Sequence, residues 1–159
     1  MVTDTTPPKG HKLTDEQWFT LRALADVIVP PSSEYAVPGA GDESICKNVI
    51  KDAAKRLPRL IKALVTLNQM ARDAHDSAFT EMDDAHRETV ALAFRDTHQG
   101  AGKMLETLVT QCYYRDDRIL RSLGMEARPP FPQGYNVGPD DWSVLSDVQR
   151  RQPFHRPVD

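Results

Sequence analysis

Five histidines and two cysteines are the side chains of this sequence best suited to hold a metal or attack a substrate: His11, His75, His86, His98 and His155, with Cys46 and Cys112. A di-iron helical bundle needs two Glu-x-x-His motifs plus further carboxylates on facing helices. The nearest approach is Asp83-x-x-His86, which occurs once, and there is no His-Glu-x-x-His pair. The histidines read as surface residues of amphipathic helices. The competing reading is a metal-dependent helical hydrolase or oxidase built on His75, His86 and His98. No Gly-x-Ser-x-Gly elbow, dinucleotide fingerprint or phosphate-binding loop is present. Gly39-Ala40-Gly41 and Gly100-Ala101-Gly102 are isolated fragments that read as loop bends and helix breaks. Cys46 and Cys112 each fall on an apolar helix face, where a free thiol acts as a small hydrophobe; a disulfide between them stays open. Asp83-Asp84 suits a helix start, where an acidic side chain accepts first-turn amides. Asp116-Asp117, between Arg115 and Arg118, reads as a solvated or locally ion-paired junction.

The C-terminal stretch offers recognition chemistry rather than catalysis. From Gly124 onward it holds six of the twelve prolines and four of the eleven aromatic residues. Arg128-Pro129-Pro130-Phe131-Pro132 is stiff and extended, so docking it costs little conformational entropy. Phe131, Tyr135, Trp142 and Phe154 are spaced to fill separate pockets, and such rings dominate interface hot spots at about 2 kcal/mol or more apiece. Two other readings compete: the arm wraps its own helical body, or Pro129-x-x-Pro132 serves a freestanding adaptor as a proline-rich ligand.

The elements that must position these residues are helices. Between Asp42 and Gln99 there is no glycine and one proline, Pro58, and no alternating strand pattern appears. Thr14-Asp15-Glu16-Gln17 fits a capping box, followed by Trp18, Leu21, Ala25 and Ile28 on one face and a stop at Pro30-Pro31. The spacing predicts a second helix over about 42–56, with Ile45, Val49 and Ala53 inward. A third is opened by Pro58, with Leu60, Leu64, Leu67, Ala71 and Ala74 as its stripe. A fourth, capped by Asp83 or Asp84, carries Val90 and Phe94, and Gly100 and Gly102 are expected to break the chain after it. A fifth runs over about 103–114, with Met104, Leu105, Leu108, Val109 and Cys112 inward. A sixth short piece, 116–123, presents Ile119, Leu120 and Leu123 before Gly124 stops it. The expectation is an all-α fold: a flexible N-terminus over 1–12, a five- or six-helix bundle over 13–123, and an extended, Pro/aromatic-rich C-terminal arm over 124–159.

Two stretches resemble the gluconate 2-dehydrogenase subunit 3 family. One is Leu13-Thr14-x-x-Gln17-x-x-x-Leu21-x-Ala23-x-Ala25-Asp26-x-Ile28-x-Pro30-Pro31. The other runs through Tyr113-Tyr114-x-Asp116-x-Arg118, Ser122-Leu123-Gly124 and Arg128-Pro129-Pro130-Phe131-Pro132-x-Gly134-Tyr135, and ends in Asp141-Trp142-Ser143-x-Leu145 and the segment from Arg150 to Arg156. The resemblance implies a non-catalytic small subunit that stabilises and helps fold a large flavoprotein of the glucose-methanol-choline type, which oxidises sugars or glycosides. FAD is then expected in that partner and no cofactor in this chain; a cytochrome subunit is a further candidate partner. The implied partner-binding residues are Tyr114, Arg118, Arg128, Pro129, Pro130, Phe131, Pro132, Tyr135, Trp142 and Phe154.

Composition narrows the alternatives. Across 159 residues, 20 Lys and Arg face 23 Asp and Glu for a net charge of −3, which argues against a nucleic-acid footprint. No apolar run approaches the roughly 18 residues of a membrane span. The first residues, MVTDTTPPKGHK, lack the order of a secretory signal and hold no twin-arginine pair. The expectation is a cytoplasmic complex, or a periplasmic one if an export segment has been removed.

Overall fold

Thr14 starts the helical body. Its hydroxyl accepts the Gln17 amide and the Gln17 side chain accepts the Thr14 amide, so the capping box closes at the head of α1 (Asp15–Ile28). A computed structural model describes residues 13–128, 134 and 138–151. The chain divides after Ala127 into two units. Helix α1 ends where Val29 turns extended, the geometry a following proline imposes.

The helix expected over 42–56 is instead α2 (Glu43–Asp52) and a separate 3₁₀ turn, Ala54–Arg56, leading into α3 (Leu57–His75). Pro58 explains the break: it has no amide to donate to the Ala54 carbonyl, and its ring crowds that oxygen. A second 3₁₀ turn, Phe79–Glu81, leads to α4 (Asp84–Thr97), whose cap is Asp83 accepting the His86 amide.

Helix α5 (Gln99–Tyr113) begins four residues earlier than expected, with Gly100 and Gly102 inside its first turns. First-turn amides have no intrahelical partner, so glycine is tolerated there. Gly102 is moreover a packing position: a β-carbon there would stand 3.1 Å from the Arg95 α-carbon of α4. The chain bends instead at His98.

Helix α6 (Asp117–Ser122) ends in a paired closure, with the Met125 amide on the Leu120 carbonyl and the Gly124 amide on the Arg121 carbonyl. Gly124 has φ +71°, the left-handed geometry this closure needs. Two expected core residues are corrected: Ala74 and Leu123 are exposed, because each lies at a helix end beyond the packed neighbours.

Helices α1 and α5 touch each other and each of α2, α3 and α4, and together form the centre of the bundle. Trp18 of α1, Phe79 and Phe94 are fully buried. Each contributes about 2–3 kcal/mol by leaving water. Two polar side chains are buried in this core: Thr20, whose hydroxyl donates to the Glu16 carbonyl at 2.7 Å, and Asn68. Asn68 accepts the buried Phe79 amide at 2.9 Å and donates to Glu16 at 2.5 Å, and Arg72 also pairs with Glu16. The link joins α1, α3 and the Phe79 turn through satisfied groups.

In the second unit, the expected extended arm is helical over part of its length. A 3₁₀ turn, Trp142–Leu145, continues into α7 (Ser146–Gln149). Residues 142–149 contain no proline or glycine, and Asp141 accepts the Ser143 amide at 3.0 Å, so a local start signal is present. No described residue of this unit is buried.

Candidate partner interface

Asp42 caps α2 by accepting the Ser44 amide, and Asp116 caps α6 by accepting the Arg118 amide. Arg118 then joins the two caps. Its Nε and Nη2 donate to the Asp116 carboxylate at 2.9 Å each, and its Nη1 and Nη2 donate to Asp42 at 3.1 and 3.0 Å. Nη2 also lies 2.9 Å from the Ser44 hydroxyl. The guanidinium uses both of its forks, which lysine cannot do. Hydrogen bonds from Arg118 hold the Asp42 carboxyl well below the usual carboxylate range against the opposing effect of burial, and likewise lower that of Asp116. Of the residues implied to bind a partner, Arg118 is thus already engaged inside its own chain, and the Asp116 junction is ion-paired.

Tyr114 presents differently. It follows α5, packs edge-on against the buried Tyr113 with ring centroids 5.2 Å apart, and remains 55% exposed. Leu123 and Met125, at the end of α6, are also exposed. A cavity of about 500 Å³ opens among α1, α4 and α5, with Val27, Ile28, Ala91 and Leu92 in its lining.

In the arm, Arg128 donates to the Gly134 carbonyl at 2.9 Å, and Gly134 has φ +67°. Trp142 is 67% exposed, and Val144, Leu145 and Val148 are exposed with it. Trp142, Leu145 and Val148 recur every third residue, the spacing of anchors on one side of a helix that enters an apolar groove. Pro129, Pro130, Phe131, Pro132, Tyr135 and Phe154 lie outside the described residues.

The three-histidine reading is corrected by geometry. The rings of His75 and His86 meet edge-on at 4.9 Å, and His86 bonds Asp83 at 2.7 Å. His98 lies twelve residues further along α4 and its cap, about 18 Å of helix away, stacked on Phe94. No group of three or more metal-ligating side chains occurs among the described residues. Cys46 and Cys112 are both buried free thiols. Burial pushes the Cys112 thiol up to about 11 and that of Cys46 further, so neither is an activated nucleophile.

Sequence reading missed the long-range clamps. Besides the Glu16 link to Asn68 and Arg72, these include Asp42–Arg118 and Asp52–Arg115, the latter at 2.6 Å. Another is Asp26, whose carboxylate accepts the Gly41 amide at 2.7 Å while Arg22 donates to the Gly41 carbonyl at 2.7 Å, fastening the loop before α2 onto α1. The signal available was Gly39 and Gly41 themselves, where an added β-carbon would collide with Asp26.

A family model for gluconate 2-dehydrogenase subunit 3 matches residues 15–123. Neither a curated protein nor a solved structure matches the chain. The matched span covers the helical bundle and more than half of the 159 residues, and the chain belongs to this family of dehydrogenase subunits.

Proposed function

From that membership we propose that this chain is the non-catalytic small subunit of a dehydrogenase. Its large partner is an FAD-carrying flavoprotein of the glucose-methanol-choline type that oxidises sugars or glycosides. The small subunit holds that partner in its folded, flavin-loaded form. The single observation that carries this reading is the family match over the bundle. The exposed row of Trp142, Leu145 and Val148 supports it by supplying an apolar surface with no core of its own to cover it. A helical segment this short is not stable in isolation, and a partner groove supplies the packing it lacks.

The test is co-expression with the flavoprotein large subunit that this reading expects, sought in the adjacent reading frame. Soluble, flavin-loaded and active large subunit is expected only with the small subunit present. Trp142→Ala should weaken the complex about 30-fold, the equivalent of about 2 kcal/mol for an aromatic anchor. Its exposure predicts an unchanged helical signal for the isolated chain. A large subunit that folds and turns over equally well alone refutes the proposal.

A further inference from the structure

Charge is distributed unevenly along this acidic chain. Between Ala53 and Arg72 it carries five cations, Lys55, Arg56, Arg59, Lys62 and Arg72, and no carboxylate. Elsewhere 23 carboxylates face 15 cations. Arg72 is paired with Glu16, whereas Arg56, Arg59 and Lys62 are exposed and make no side-chain ion pair among the described residues. These three form one wall of a groove of about 500 Å³ between α3 and the α4–α5 corner, and its lining also includes Phe94, Ala101 and Met104. The groove combines a cationic wall with an apolar floor.

We propose that this groove docks an acidic amphipathic helix of the large subunit, as a contact separate from the C-terminal arm; the identity of that partner rests on the function proposed above. The spacing selects the occupant. Arg59 and Lys62 are three residues apart on α3, about 4.5 Å along its axis, and Arg56 closes the 3₁₀ turn three residues before Arg59. Carboxylates at successive turns of a partner helix repeat at a similar rise, so a helix laid along the groove meets the cations in register. Its apolar side then faces the partly exposed Ala101 and Met104. A linear row of cations beside an apolar strip matches a charged helix edge better than one small anion, which needs donors converging on a point.

The test uses the full chain and the flavoprotein large subunit that the proposed function expects, with affinity measured at about 50 mM and about 300 mM salt. Wild type is expected to bind and to weaken as salt rises. Arg59→Glu with Lys62→Glu should weaken binding at low salt by at least about tenfold and flatten the salt dependence. The milder Arg59→Gln with Lys62→Gln should fall between, and melting curves of both variants should match wild type. Variant affinities within about twofold of wild type at both salts overturn the inference while leaving the subunit reading intact. Failure of the wild type to bind overturns both. A third arm sediments the wild-type chain with phosphatidylcholine–phosphatidylglycerol vesicles. Binding there that the Glu variant loses, with flavoprotein affinity unchanged, assigns the wall to a lipid surface and overturns the inference.

Discussion

Replacing Arg118 by alanine removes one side chain that serves two helix caps. In the native chain, Arg118 is 45% exposed at its side chain, but its partners Asp42 and Asp116 are only 25% and 12% exposed. The loss is therefore larger than for an ordinary surface pair, at about 0–1 kcal/mol, and smaller than for a fully buried one. Two bidentate contacts in this intermediate setting give about 2 kcal/mol. For a chain of this length each kcal/mol moves the thermal midpoint by about 2–4 °C, so Arg118→Ala should melt about 4–8 °C lower by circular dichroism at neutral pH. Arg118→Lys keeps the charge without the forks and should recover less than half of the loss. The pH dependence has a definite sign. Asp42 and Asp116 are both lowered from 3.8, so their contribution is fully present above about pH 4 and disappears as pH falls through their native values. Wild type should therefore lose stability more steeply than Arg118→Ala below pH 4, and the two melting points should converge. Equal midpoints at neutral pH, or parallel acid profiles, would refute the clamp.

Gly41→Ala should destabilise the chain by about 1–3 kcal/mol in chemical denaturation, since the new β-carbon would lie 2.3 Å from Asp26 and 2.6 Å from the Arg22 carbonyl, and the backbone cannot yield like a flexible side chain. Asn68→Ala should cost about 1–3 kcal/mol by the same measurement, because it leaves the buried Phe79 amide without its acceptor. Thiol labelling of the native chain at about pH 8 should be slow at both cysteines and slower at Cys46; rapid stoichiometric reaction would contradict their burial.

Local signals were legible in the sequence, and tertiary ones were not. The Thr14–Gln17 box, the Asp83 cap and the Gly124 stop each depend on residues within one turn, so their side-chain chemistry announces them. Gly100 and Gly102 misled because glycine at a helix start carries no intrinsic penalty that composition reveals, and the need at Gly102 comes from the neighbouring Arg95 backbone. The helical turn at 142–149 is too short for periodicity to show. The residues of the candidate interface were readable as types: exposed rings, prolines and an arginine near α6. Their environments were not, since only the folded chain shows that Arg118 faces inward to two aspartates while Tyr114 and Trp142 face water. The cationic groove needs three helices to converge, and no window of sequence contains all of them.

The Asp42–Arg118 closure also sets a timetable for biosynthesis. Its two ends are separated by 76 positions. A nascent polypeptide emerging N-terminus first holds the start of α2 only through the Gly41 bonds to Arg22 and Asp26, until Arg118 emerges and adds the second fastening. Non-local closures of this kind slow folding, because the intervening chain must be arranged first. A protease cut between α5 and α6 would reopen the same seam, so the last turn of the bundle acts as a latch on one of its earliest helices.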